Sequence, residues 1–294
     1  MHPHQLVDGQ IVPLGTTDLS PGQMGLLSGF GVFSTLRVAS GVLFEWERHW
    51  ARMTHDASVI GLSMPSGEAV HADLLRLTRA NEAVDATLRV LVVRNTGGMW
   101  GAPSERSSTT IAFTRPLSAW GSSARLVVVP HGRHAANRFS TLKVLSWVHN
   151  LVTYDEVHAR GFDEALLLNE RGEIAECTSA NVFFVFGDEV WTPPVSSGCL
   201  PGVTRALLVE GLGVEGVRVV ERTIDPATAA GADEVFITSS TRDLLPVATI
   251  EGVGLRQDRS STIRARLAEA FARRREDYVR RALGAVGHVA VAQR

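Results

Sequence analysis

Apolar positions recur every second residue in some stretches of this chain and every third or fourth in others. The first spacing marks a strand buried on one face, and the second marks an amphipathic helix. QLVDGQIVPL alternates on both sides of Asp8-Gly9, which predicts a short hairpin. GVFSTLRVASGVLFEW alternates again and turns at Ser40-Gly41, a second hairpin. In EWERHWARMTHDASVIGL the period changes, and Trp46, Trp50, Met53, Ala57 and Ile60 fall on one helical face. SGEAVHADLLRLTRANEA predicts another helix, with Ser66 placed to cap it. TLRVLVVRN, TTIAFTR and ARLVVVPHG are short, apolar and β-branched, so each predicts a strand.

Between the last two strands lies PLSAWGSSA, rich in Pro, Ser and Gly, which reads as a domain boundary. The expected division is residues 1–117, a connecting loop at 118–123, and residues 124–294. Beyond it, VLSWVHNLVTYDEVHAR predicts a helix. DEALLLNERGEIAE and NVFFVFGDEVWTPP predict hairpins turning near Arg171-Gly172 and Gly187-Asp188. GVTRALLVEGLG predicts a helix opening just after Pro201-Gly202, DEVFITSS a strand, VATIEGVGL a hairpin, and residues 260–283 a long helix. Hairpins separated by helices do not make the strict strand–helix alternation of a doubly wound fold. The reading is an α+β chain in two domains.

Composition narrows the function. A net charge of −2 argues against a phosphate-backbone binder. No apolar run approaches the roughly 20 residues of a membrane span, and MHPHQLVDGQ lacks the layout of a signal peptide. The two cysteines, Cys177 and Cys199, make no disulfide framework, so a cytoplasmic protein is expected. The basic residues are more informative. Of 29 Lys+Arg, only Lys143, in STLKVLSW, is a lysine. Arginine serves equally well as a surface cation but does not give up its proton, so it cannot act as a nucleophile. A desolvated lysine can lose its proton and form a Schiff base.

No P-loop, G-x-S-x-G elbow or H-E-x-x-H motif occurs, and the histidine pairs His2/His4 and His131/His134 lack a third convergent ligand, so no metal is expected. Three features stand beside Lys143. LPGVTR sets Gly202 ahead of a helix whose first amides suit a phosphate. ITSST ends a strand in hydroxyl side chains. Glu176 sits in an otherwise small and apolar stretch, where a carboxylate needs a partner. An amine, a phosphate nest and a partnered carboxylate are together what pyridoxal 5′-phosphate requires.

Five segments in order then carry a family resemblance: GFGVFSTLRVASGVLFEWERHWARM, LKVLSW, DEALLLNERGEIAECTSANVF, CLPGVTR and DEVFITSSTRDLLPV. With them the chain resembles the fold type IV, class IV pyridoxal-phosphate enzymes, which include branched-chain and D-amino-acid aminotransferases and 4-amino-4-deoxychorismate lyases. The resemblance implies a smaller N-terminal α/β sandwich, a larger C-terminal pseudo-barrel with helices, and a homodimer. It implies that Lys143 forms the Schiff base and shuttles the proton between Cα and C4′. Glu176 would pair with the pyridinium nitrogen, with Asn181 close by. Arg52, the amides of Val203 and Thr204, and Ser240 would hold the phosphate. Phe33, Thr35, Arg89 and Thr241 would face the substrate, and His49 would be a packing and hydrogen-bonding residue.

The chain departs from individual subgroups. Trp147 stands nearest the place where branched-chain enzymes have a tyrosine, Thr87 replaces another tyrosine, and GGMWG carries Met99 where the lyases have arginine. The expected activity is transfer of an amino group between an amino acid, branched-chain-like or a related amine, and a 2-oxo acid. The alternatives are a 4-amino-4-deoxychorismate lyase, which releases pyruvate, and a family member that binds ligand without catalysis.

Overall fold

The computed structural model describes residues 1–16, 22–99, 104–255 and 262–292. The chain divides into two compact units that are discontinuous in sequence. One comprises Met1–Ser118, Lys143–Trp147 and Arg275–Arg294, and the other Ala119–Leu142 and Val148–Arg274.

The first unit runs β1 (His4–Val7), β2 (Gln10–Pro13), α1 (Met24–Ser28), β3 (Gly31–Ala39), β4 (Val42–Leu43), α2 (Trp46–Val59), α3 (Gly67–Ala80), β5 (Ala86–Arg94) and β6 (Ser108–Pro116). Its six strands form an antiparallel sheet in the order β2-β1-β6-β5-β3-β4. Both expected hairpins form, with positive φ at Asp8 and Gly9 and at Ser40 and Gly41, the backbone that two-residue hairpin turns require. The alternation works as expected. Val32, Leu36, Val38, Leu88, Val90 and Val92 point to one face, where Met53 and Ala57 of α2 and Val70, Leu74 and Leu77 of α3 pack on them. Each such buried side chain contributes about 1.5–3 kcal/mol. Ser66 caps α3, accepting from the Ala69 N–H.

The second unit holds β7 (Ala124–Val129), α4 (Val148–Ala159), β8 (Glu164–Leu168), β9 (Ile174–Cys177), β10 (Asn181–Phe186), β11 (Glu189–Thr192), α5 (Val203–Glu210), β12 (Arg218–Glu221), α6 (Pro226–Ala229), β13 (Glu234–Ser239) and β14 (Asp243–Glu251). A last helix, α7 (Ile263–Ala292), contributes residues up to Arg274 here and those from Arg275 to the first unit. The eight-stranded sheet is ordered β12-β11-β10-β13-β14-β7-β8-β9. It is mixed, with parallel pairs β11–β12, β14–β7 and β7–β8. Every residue of β8 and β9 is buried, the mark of strands covered on both faces. Leu166, Ile174, Val182, Phe184 and Ile237 lie in one core, and Val127, Ala165 and Leu167 pack under Val157 of α4.

The α+β expectation holds, and two local expectations change. The helix expected from Val144 begins at Val148, because the residues before it are tied to β3. The hairpin expected over VATIEGVGL is the end of one long strand, β14, closed by a turn in which the Val253 N–H donates to the Ile250 carbonyl. β14 is committed to β13 and β7 on its two sides, so it has no free edge for a returning strand. Residues 260–261 of the expected last helix lie outside the described residues, as do 100–101 of GGMWG.

Candidate active site

In the first unit, the segment around Lys143 is laid against β3. The Phe33 N–H donates to the Lys143 carbonyl (3.1 Å), and the Leu145 N–H donates to the Gly31 carbonyl (2.9 Å). A Cβ at Gly31 would lie 2.6 Å from the Val92 carbonyl oxygen and 2.7 Å from the Leu145 side chain, so only glycine permits this approach. A third bond comes from α2: the Lys143 N–H donates to Asp56 Oδ2 at 3.0 Å. The lysine backbone is therefore fixed from a strand and a helix at once.

The side chain is framed by aromatic rings. Lys143 Nζ lies 4.6 Å from the Phe33 ring centroid and 5.0 Å from that of Trp147, and the two rings meet edge to face at 5.7 Å. Arg89 lies over the Phe33 ring at 4.2 Å and pairs across the sheet with Thr35. Phe33, Thr35, Arg89 and Lys143 are thus brought together. The two cation–π contacts hold the side-chain amine beside apolar aromatic surface.

One residue along β3, Ser34 points to the opposite face, toward α2. Its Oγ accepts from Arg52 Nη2 and pairs with His49 Nδ1, both at 2.8 Å. Arg52 follows His49 by three residues and precedes Asp56 by four, so one helical face presents all three. Burial lowers the Arg52 pKa, and neighbouring Asp56 opposes that effect. Burial also pushes His49 well below its usual range, with Arg52 and Lys143 adding to it, so His49 is neutral. Arg52 Nε is buried with no hydrogen-bond partner among the described residues. A desolvated guanidinium with an unused donor fits an anion such as a phosphate.

In the second unit, Glu176 on β9 is buried and held from three sides. Arg133 donates to Oε1, the Leu200 N–H donates to Oε2 at 3.0 Å, and Asn181 Nδ2 lies 3.5 Å from Oε2. Asn181 also donates to the Leu200 carbonyl at 2.9 Å. The Glu and Asn five apart in sequence therefore meet across a tight turn between β9 and β10. Gly202 follows, and a Cβ there would fall 2.2 Å from Asn181 Oδ1. The glycine lets the start of α5 approach the asparagine. No side chain caps α5, and Val203 and Thr204 open it. Helix-start amides without a side-chain cap suit an anion. Ser240 and Thr241 lie in the tight turn joining β13 to β14.

Sequence reasoning missed Ser34, Asp56 and Arg133. Asp56 carried a usable signal, since it follows Arg52 by one helical turn. Arg133 sits between the two histidines of HGRH, a spacing that suggests metal ligands instead. Nothing in the spacing links it to Glu176.

A family model described as amino-transferase class IV matches residues 31–250. A putative branched-chain-amino-acid aminotransferase of Methanocaldococcus jannaschii is 28% identical over 90% of this chain and 94% of its own length. The solved branched-chain amino acid aminotransferase from Escherichia coli superposes with a TM-score of 0.83 at 24% identity, over 92% of this chain and 93% of that one. A putative 4-amino-4-deoxychorismate lyase from Legionella pneumophila has the same fold, with a TM-score of 0.80 at 24% identity, over 88% of this chain and 96% of that one.

Proposed function

Since the chain belongs to the class IV aminotransferase family, we propose that it moves an amino group between an amino acid, branched-chain-like or a related amine, and a 2-oxo acid, using pyridoxal 5′-phosphate. The observation that carries this reading is the setting of Lys143, the chain's single lysine, with its backbone fixed by Phe33 and Asp56 and its amine between two aromatic rings. The cofactor, when bound, supplies an aldehyde for a lysine and a ring that withdraws electrons from the substrate carbon.

The chain's residues fit that group. In the first unit the unused donor of Arg52 suits a phosphate oxygen; in the second unit the uncapped start of α5 at Val203 and Thr204 suits one too, with Ser240 offering a hydroxyl. Glu176, oriented by Arg133 and the Leu200 N–H, would hold the proton on the ring nitrogen. Asn181 would steady the carboxylate. Phe33, Thr35, Arg89 and Thr241 would orient the substrate. Lys143 Nζ would take the proton from the substrate Cα and deliver it to C4′ of the cofactor, a transfer that needs the lone pair an arginine does not offer.

The test is a panel of amino donors given to the purified holoenzyme, with absorbance followed in single half-reactions. Donor-dependent loss of the cofactor's absorbance, reversed by a 2-oxo acid, is the expected result. Repeated turnover of 4-amino-4-deoxychorismate to pyruvate without any 2-oxo acceptor would instead assign the lyase reaction. Lys143→Ala is expected to lose turnover while retaining part of its cofactor binding, and wild-type-like turnover in that variant would refute the assignment. The proposal extends to a homodimer, supported by the exposed apolar Val148, Leu151 and Val152 on α4, with light scattering as its check. It also extends to a cytoplasmic location, which accords with the free, buried thiols of Cys177 and Cys199. Among the described residues no helix is long and apolar enough to cross a membrane.

A further inference from the structure

Arg242 follows the Ser240–Thr241 turn and is almost wholly buried, yet no role discussed above uses it. Its Nη2 pairs with Glu164 at 2.8 Å, with the two side chains 4% and 1% exposed. Its Nη1 donates to Ser179 Oγ at 2.8 Å and to the Ser179 carbonyl at 3.3 Å. The guanidinium carbon lies over the Trp120 ring, 3.9 Å from its centroid. Glu164 in turn accepts from the hydroxyls of Thr178 and Ser179, and Asn150 donates to the Thr178 carbonyl at 2.6 Å. Both terminal nitrogens and one face of the guanidinium are thus engaged by protein. Arg242 is not disposed to be an anion ligand itself.

Its surroundings instead reach the turn. Trp120 Nε1 donates to the Thr241 carbonyl at 3.1 Å. The Arg242 N–H donates to Ser239 Oγ at 3.3 Å. These two groups belong to one peptide unit, so the plane following Thr241 is held at both its oxygen and its nitrogen. A peptide fixed at both ends sets the direction of the residues before it. Replacing a buried ion pair by apolar groups is often neutral or stabilising, so such a pair is weak evidence for a stabilising role. Here the pair is wired to a three-residue turn that carries two hydroxyl side chains.

We propose that Arg242 is a positioning residue. Locked to Glu164 and Ser179 and stacked on Trp120, it holds the Ser240–Thr241 turn in the shape that receives an oxyanion, either the cofactor's phosphate or the substrate's carboxylate. This rests on the reading of the chain as a pyridoxal-phosphate enzyme. Trp120 acts beside it through the Thr241 carbonyl. The consequence is selective: loosening the turn weakens ligands that carry the oxyanion and leaves their counterparts without it unchanged.

The test uses the full chain freed of cofactor, in wild type, Arg242→Lys and Trp120→Phe. Arg242→Lys keeps a charge for Glu164 but loses the two-nitrogen fork. Trp120→Phe keeps an aromatic face and loses only the N–H, which guards against a variant that fails to fold. Each protein is titrated with pyridoxal 5′-phosphate and with pyridoxal, following the absorbance of cofactor held by the lysine. The holoenzymes are then given L-leucine and 3-methylbutylamine, its counterpart without a carboxylate. Loss of one turn-holding hydrogen bond corresponds to about tenfold in binding. We expect about that loss for pyridoxal 5′-phosphate or for leucine in both variants, with pyridoxal and the amine unaffected. The arm that responds identifies the oxyanion. Equal weakening of both members of both pairs would show a merely structural residue and overturn the proposal, as would no change in either pair. A wild-type chain that takes up neither pyridoxal 5′-phosphate nor pyridoxal would refute the cofactor reading itself, and the proposal with it.

Discussion

Arg133→Met separates a charge pair kept for the fold from one kept for a ligand. Arg133 and Glu176 are 11% and 4% exposed, so water screens neither well. Two unit charges about 4 Å apart attract by about 4 kcal/mol at the effective dielectric of such sites. Removing one member of a buried pair costs about 3–5 kcal/mol, because the other charge is left without compensation. Glu176 keeps the Leu200 N–H at 3.0 Å, so the lower end applies, about 3 kcal/mol. For a chain of this length that lowers the melting temperature by about 6–12 °C. The double variant Arg133→Met/Glu176→Gln removes the stranded charge and is expected to recover more than half of the loss. Saturating pyridoxal 5′-phosphate is also expected to narrow the gap between Arg133→Met and wild type, since a protonated ring nitrogen gives Glu176 a new partner. The assay is urea unfolding of the three proteins with and without cofactor. A loss under about 1 kcal/mol in Arg133→Met, or a double variant as unstable as the sum of the two single ones, would refute the reasoning. A gap that cofactor does not narrow would detach Glu176 from the ring nitrogen while leaving the fold argument intact.

Other sites give shorter tests. His49 is held well below its ordinary 6.5, so as pH falls below 6.5 the unfolded chain takes up a proton that the folded chain refuses. Stability should fall there by up to about 1.4 kcal/mol per pH unit, and urea midpoints of His49→Gln should show a slope smaller by one proton. Asp56, whose pKa burial raises above 3.8, acts in the opposite sense, with stability declining as pH rises from that value through its folded pKa. Arg52→Lys retains the charge but gives up the fork, and titration should show pyridoxal 5′-phosphate weakened about tenfold or more with pyridoxal little changed. Gly202→Ala forces a methyl onto Asn181 Oδ1, 2.2 Å away, and should cost about 1–3 kcal/mol in thermal unfolding.

Periodicity carried the reading of the elements wherever one face is buried and the other is not. α2 and α3 were legible because Trp46, Met53, Ala57 and Val70, Leu74, Leu77 repeat at helical spacing over a polar remainder. β12 and the short α1 and α6 were not, because four or five residues give too few repeats of either spacing to stand out. The helix start at Val148 was illegible for a different reason. Val144 and Leu145 are apolar and in phase with the helix, but Val144 bridges to Val32 and the Leu145 N–H serves Gly31. Long-range pairing overrode local pattern. The candidate site divides the same way. Residues with a chemical capability that their neighbours lack, such as Lys143 and Glu176, stood out in sequence. Residues that act by holding another, such as Asp56, Arg133 and Arg242, are ordinary surface types until the fold buries them.

That burial is selective. Arg160–Glu251 and Arg218–Glu189 are solvent-accessible pairs of the kind worth about 0–1 kcal/mol. Arg133 with Glu176 and Arg242 with Glu164 are buried, and each adjoins a segment proposed to serve the cofactor or substrate: the Leu200–Gly202 approach to α5, and the Ser240–Thr241 turn. Desolvating so many charges is an expensive way to stabilise a fold, and apolar side chains of similar volume would serve stability as well or better. An apolar contact, however, fixes neither the direction of an amide nor the orientation of a carboxylate. Charged hydrogen bonds fix both, because their strength falls steeply with angle. The two pairs thus share one rationale: each exchanges stability for the orientation of a backbone or carboxylate group that a bound anion or ring nitrogen would read.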